Sequence, residues 1–197
     1  MPNLTTLADC KTRFGYGTSD EALVNLLLPE VDADVVSYVG RPIFAETGRI
    51  EYPIVRGLGL TAVRLALYPV TTLTSLHIST AVPRVYDATT AVSASTGYGY
   101  DANSGMLFLL DGRCFPSTEE SPQAIKVVYN GGYSTIPGDI KAAAEEILAT
   151  KFQKSKDRQY HVTNITAIDG QVQGIRWEDI PPSAKAVLDR FRDVAFA

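Results

Sequence analysis

The sequence predicts an α+β fold, with a helical core formed by the two ends of the chain, a β-rich stretch inserted between them, and a projecting hairpin. Two observations predict it. Between Gly57 and Leu110 only Arg64, Arg84, Asp87 and Asp101 are charged, whereas eighteen charged residues follow Pro137, interleaved with apolar ones at helical spacing. The charge-poor middle is rich in Val, Thr, Ile and Tyr and is punctuated by turn residues, the chemistry of short strands. The boundaries drawn from this pattern are residues 1–42 and 134–197 for the helical core, with a hairpin arm at about 160–177, and 43–133 for the β-rich insert.

In chain order, Thr6 to Asp9 has the spacing of a capping box, and Gly15 is placed to stop a short helix. Thr18 to Glu21 repeats the signal. Leu23, Leu27, Val31, Val35 and Val39 then share one row four residues apart, and Ala22 and Leu26 widen that stripe into a buried face. Pro29 predicts a kink or a break, because its ring clashes with the preceding turn and it lacks an N–H. Gly40 fits a C-terminal cap, and Pro42 prevents continuation.

The middle offers candidate strands at Arg49–Val55, Ala62–Tyr68, Ser75–Ile78, Arg84–Tyr86, Met106–Leu110 and Ala124–Asn130. In the last, Ile125, Val127 and Tyr129 share one face, with Lys126 and Val128 on the other. Asn103-Ser104-Gly105 and Asp111-Gly112 read as tight turns. A further helix begins at about Pro137, burying Ile140, Ala144, Ile147, Leu148 and Phe152 and leaving Lys141, Glu145, Glu146 and Lys154 outside the stripe. Ile165 to Ile168, Asp169-Gly170 and Gln171 to Ile175 form a hairpin signal. Pro181 and Pro182 introduce a last helix with Val187, Leu188, Phe191 and Val194 on one side.

At 197 residues the chain needs no disulfide or metal staple, since it should bury roughly 70% of its unfolded surface. The net charge of −4 argues against a broad grip on nucleic acid or anionic lipid. Cys10 and Cys114 are too few for a disulfide framework; a single bridge is one reading and free buried thiols the better one. Residues 1–17 lack a signal-peptide apolar run, and Pro69, His77 and several hydroxyl residues spoil 65–83 as a membrane helix, so a soluble protein is expected.

No motif commits the chain to catalysis, a cofactor or a metal. Gly57 to Ala62 matches a relaxed dinucleotide fingerprint, but β-branched residues follow where a helix is required, so it reads as a loop. Asp101, Asn103 and Gly105 resemble the start of a calcium loop without its distal glutamate, and read as a turn. His77 and His161 have no second ligand at metal spacing, and His77 reads as a locally hydrogen-bonded strand residue. Glu145-Glu146 and Glu119-Glu120 read as solvated faces, since helical neighbours point about 100° apart. Lys151, Lys154, Lys156 and Arg158 either complement a helix dipole or offer a surface to an anionic partner. Trp177 either anchors its own segment or is a hot spot on a neighbouring subunit.

Residues Val127-Val-Tyr-Asn-Gly-Gly-Tyr-Ser-Thr-Ile-Pro-Gly-Asp-Ile-Lys-Ala-Ala143 resemble the central signature of tailed-phage head–tail connector (adaptor) proteins. Residues 20–41, ending Tyr38-Val-Gly-Arg41, resemble the N-terminal helix of that family. Residues 179–193, ending Leu188-Asp-Arg-Phe191-Arg192, resemble its final helix. Compact members are almost wholly helical, so this chain is similar to longer forms with a β-rich insertion. The resemblance implies a structural virion protein in the neck, made in the host bacterial cytoplasm. It implies a homo-oligomeric ring, about twelve-fold, beneath the portal and above a stopper or tail component, through which DNA passes unheld and with no membrane partner. In that frame Ile165, Ile168, Val172, Ile175 and Trp177 of the hairpin are expected at a subunit interface. Arg190, Phe191, Arg192 and Phe196 are expected at the portal. The competing readings are a module that binds a carbohydrate or host surface through Tyr86, Tyr98 and Tyr100, and an enzyme with an unrecognised site, for which loss of turnover on His77→Ala is the test.

Overall fold

The computed structural model describes residues 3–94, 96–110, 112–119, 121–156, 164–166, 172–174 and 180–192. It is an α+β structure of two compact units, one comprising Met1–Arg41 and Ile136–Ala197, the other Pro42–Thr135.

In the helical unit, α1 (Leu7–Phe14) starts where Thr6 accepts a hydrogen bond from the Asp9 N–H and ends at Gly15, whose φ of 69° only glycine adopts without strain. A 3-10 turn, Thr18–Asp20, leads into α2 (Glu21–Val39), so the second capping signal marks this turn and not a helical N-cap. Of the expected kink or break, the break does not occur: α2 runs continuously through Pro29. An interior proline costs roughly 3 kcal/mol. Beyond it α2 buries Val31, Val35 and Val39 completely, each contributing roughly 1.5–3 kcal/mol, so packing outweighs the ring. Pro29 lies on the exposed side, where the carbonyl it frees meets water.

The buried stripe of α2 also departs from expectation. It widens through Val24 and Leu28, while Ala22 is exposed and Leu26 is 64% exposed. Residues 22–28 are apolar nearly all round the helix, so periodicity there does not select a side. α3 (Gly138–Lys156) buries Ile140, Ala144, Ile147, Leu148 and Phe152 as expected, and packs on α2 and α4. It also buries Glu145 and Lys154, which corrects their placement outside the stripe. α4 (Pro182–Leu188) buries Ala184 and Leu188 but ends there, so half-buried Phe191 follows in a turn; Val194 lies outside the described residues.

The β unit has two antiparallel three-stranded sheets. In chain order its strands are β1 (Glu46–Glu51), β2 (Ala62–Arg64), β3 (Val70–Ile78), β4 (Tyr98–Asp101), β5 (Met106–Leu109) and β6 (Ile125–Gly131). One sheet runs β1-β6-β3 and the other β2-β5-β4. Their inner faces share one core that includes Val63, Leu65, Leu76, Leu107, Val127 and Tyr129. Burial alternates along β6, as its sequence dictates.

Several strand assignments change: β1 ends at Glu51 rather than Val55, β2 at Arg64 rather than Tyr68, and β3 begins at Val70 rather than Ser75. Tyr98–Asp101 is a strand that glycine-flanked sequence concealed. Arg84–Tyr86 is not a strand. The Arg84 guanidinium donates to the carbonyls of Pro122 and Ala81 and to Ser121 Oγ, and the Tyr86 hydroxyl donates to the Gln123 carbonyl. Side-chain bonds thus hold this segment as an arch across the sheet. Finally, β7 (Asn164–Thr166) and β8 (Val172–Gly174) pair antiparallel as a two-stranded sheet.

Candidate assembly surfaces

The two outer segments of the connector-like pattern, far apart in sequence, meet in the helical unit. The Tyr38 hydroxyl donates to Asp189 Oδ1 at 2.8 Å, and this bond to a carboxylate raises the phenol pKa. Arg41, 3% exposed, donates from Nε to the Phe191 carbonyl at 3.2 Å. The Arg192 guanidinium lies 5.6 Å from the Tyr38 ring centroid. The spacing Tyr-x-Gly-Arg is therefore mechanical: Gly40, at φ 75°, ends α2 and turns Arg41 inward to hold the residues after α4.

Of the residues expected at a portal, Arg190 is exposed and lies 3.5 Å from the Asp139 carboxylate. Phe191 is half-buried and Arg192 exposed, while Phe196 lies outside the described residues. Of the hairpin residues, Ile165 sits on β7 opposite Gln173, and Val172 on β8 opposite Thr166. Ile168, Ile175 and Trp177 lie outside the described residues, as does His161.

The third segment, Asn130-Gly-Gly-Tyr133, closes the β unit. Gly132 has φ 87°, and a Cβ there would stand 2.3 Å from the Phe44 carbonyl oxygen. The Gly132 N–H donates to Pro69 and the Tyr133 N–H to Ile43, both at 2.9 Å. Glycine is required because the Phe44–Ala45 backbone passes where a side chain would stand.

Charge in the helical unit is spent largely on internal ties. Glu145, expected in solvent, is 5% exposed; it accepts from Thr5 Oγ1 at 3.0 Å and from Arg13 Nη1. Asp9 pairs with Lys141 at 2.8 Å, and that bond holds its carboxyl below the usual range. Of the basic cluster, Lys151 lies 2.8 Å from Asp34 and 3.5 Å from Glu30. Burial works against its charge, but these carboxylates raise its pKa on balance. Lys156 reaches Asp20 at 3.4 Å, Lys154 is buried, and Arg158 lies outside the described residues. Lys151 thus ties α3 to α2, and Lys156 reaches the turn before α2.

The features of the competing readings sit differently. Tyr98 is 6% exposed in the β core and unavailable to a glycan, while Tyr100 is 36% exposed. Tyr86 lies against the outer side of the β1-β6-β3 sheet, its ring centroid 6.1 Å from Tyr52 and 6.3 Å from His77. His77 Nδ1 meets Thr90 Oγ1 at 3.3 Å, the local bond expected of a strand histidine. The Gly57–Leu60 loop leads into β2 and not into a helix. Asp101 accepts from the Asn103 N–H and Ser104 Oγ, so its carboxylate organises the β4–β5 turn. Cys10 is buried and free; Cys114 is free but exposed, which corrects the expectation of two buried thiols. Among the described residues no group of three or more His, Cys, Asp or Glu side chains is placed to hold a metal ion. No helix among them is long and apolar enough to cross a membrane.

No protein-family model matches the chain, and no curated protein sequence matches it. Solved structures do. A chain from the virion of a native gene transfer agent (GTA) particle is 18% identical over 100% of this chain and 96% of that one, with a TM-score of 0.49. A chain from the neck of an empty GTA particle, computed with C6 symmetry, is 18% identical, covers 98% of this chain and 92% of its own length, and has a TM-score of 0.55. This chain therefore shares its overall fold, end to end, with a protein from a GTA particle neck.

Proposed function

We propose that the chain is a structural protein of a phage-type particle neck, a head–tail connector that forms a ring beneath the portal and docks the next neck or tail component. The observation that carries this reading is the fold likeness to a GTA neck chain, which spans both chains almost completely. The ring is of this chain's own copies, and twelve is a multiple of the six-fold symmetry of that neck. The union of the Tyr38–Arg41 and Leu188–Arg192 segments supports the reading, because a resemblance in sequence becomes one connected structural feature.

In this reading Arg190, Phe191, Arg192 and Phe196 face the portal, and the hairpin residues Ile165, Ile168, Val172, Ile175 and Trp177 reach an adjacent subunit. The chain acts by assembly rather than catalysis and works in the virion neck after synthesis in the host cytoplasm. DNA slides past a protein of net charge −4 without being held. The test is electron microscopy of the protein, alone and with the portal from the same particle. The expected result is a ring of copies stacked on the portal. A strictly monomeric protein at high concentration, without affinity for portal, refutes the reading.

A further inference from the structure

The segment Leu4–Phe14, made of α1 and the residues leading into it, is held to the helical unit differently from the other helices. α2 and α3 each bury a long apolar stripe, whereas α1 itself buries only Cys10, with Leu4 and Thr5 buried just before it. Its other ties are polar. The Leu4 N–H donates to Asp32 Oδ1 at 3.0 Å, Asp9 pairs with Lys141 at 2.8 Å, and Lys11 pairs with Glu21 at the start of α2. Thr5 Oγ1 donates to Glu145 Oε1 and Arg13 Nη1 to Glu145 Oε2, so one carboxylate grips the segment near both ends. Lys141, one turn before Glu145 on α3, takes the middle.

Because both ends share Glu145, losing that contact loosens the whole segment and not one end of it. Gly15, at φ 69°, and Gly17 flank Tyr16, whose ring rests on that of Phe152 with centroids 4.3 Å apart. Two permissive residues thus adjoin a fixed pivot. The ion pairs lie within reach of dissolved salt: the side chains of Asp9, Lys141 and Glu21 are 37% exposed and that of Lys11 35%. On the inner side of the segment the Cys10 thiol is sealed from water.

We propose that Leu4–Phe14 is a latch, which swings off α2 and α3 as one piece about Gly15–Gly17 while the rest of the helical unit stays folded, and that ionic strength sets how often it opens. A segment with little buried apolar surface and many charge ties belongs at the low-stability end of a fold. Opening strands no charge, since the departing segment returns Glu145 to water. Closed, the latch covers Glu145 and Cys10; open, it presents both to solvent. The latch is a property of the single chain and stands apart from the ring reading.

The experiment uses the full-length chain carrying Cys114→Ser, in which Cys10 is the one remaining thiol. Its reaction with a small maleimide is timed under native conditions and normalised to free cysteine at the same salt and pH. The rate should be slower than that of free cysteine by at least about ten-fold at low salt. It should rise at least about five-fold between about 0.05 and 0.5 M sodium chloride. Its dependence on urea should be far shallower than that of global unfolding followed by circular dichroism, because opening exposes little surface. Lys141→Ala should raise the low-salt rate about three-fold and flatten the response to salt. Lys151→Ala, which removes ties between α2 and α3, should leave the response to salt unchanged. A Cys10 rate that follows global unfolding alone, with the same urea dependence and no response to salt or to Lys141→Ala, overturns the latch. A rate equal to that of free cysteine at low salt overturns it too, since the segment is then not docked. The salt series alters no residue of the segment or its contacts, so it stands even where a variant fails to fold.

Discussion

Replacing Glu145 with alanine distinguishes a buried tie from a solvated surface charge. The carboxylate is 5% exposed and joins Thr5 and Arg13, respectively 140 and 132 residues away, to α3. The Thr5 hydroxyl bond to a charged acceptor is worth about 1.5–3 kcal/mol. The Arg13 side chain is 49% exposed, so water screens the ion pair and limits it to about 1 kcal/mol or less. Lost packing brings the expected destabilisation to roughly 3–4 kcal/mol. Glutamine keeps an acceptor for Thr5 and should lose only about 1 kcal/mol. Urea unfolding followed at 222 nm reads the helical unit directly. A double-mutant cycle with Arg13→Ala should return a coupling near the ion-pair value. An alanine variant within about 0.5 kcal/mol of the parent, the ordinary result for a surface position, would refute the argument.

Further outcomes follow from the other structural constraints. Gly132→Ala should destabilise the β unit by more than about 2 kcal/mol, since φ 87° and the Phe44 carbonyl both oppose a side chain; an unchanged thermal midpoint would refute this. Tyr98→Ala should cost roughly 3–5 kcal/mol as a core deletion, while Tyr100→Ala should cost about 1 kcal/mol or less, a contrast read by denaturant titration. Acid should loosen the α1–α3 junction. The Asp9 pKa is lowered in the folded protein by Lys141, so its stabilisation is present above the unfolded value of 3.8 and is lost as pH falls below it through the folded value. Asp9→Asn should flatten this loss in melts between pH 5 and about pH 2.5. Asp32, raised chiefly by burial, works in the opposite sense and is unaffected by that substitution.

What the sequence disclosed, and what it withheld, follows the range of the interactions. The ends of α1 and the end of α2 were legible because Thr6, Gly15 and Gly40 act within a few residues of themselves. The alternation of β6 was legible because one face is buried and the other is not. Glu145 was not, because its partners arrive from the other end of the chain. Arg84–Tyr86 has strand-like composition, yet bonds to residues 121–123 hold it in an arch, and no local pattern encodes such a clamp. The Tyr38 and Asp189 segments could be recognised individually, but their union required the fold.

The crossing at Gly132 also bears on how such a chain tolerates change. Ile43 and Tyr133, near the two ends of the β unit, are hydrogen-bonded neighbours. The unit spanning Pro42–Thr135 therefore begins and finishes at almost one point, and it settles its own loop closure without requiring the flanking helices to hold distant ends together. Such a unit behaves as a cassette. It can be lengthened, exchanged or excised for a short glycine linker while the helices retain their sequence, which lets this unit diversify at a different pace from the helices on either side of it in the chain.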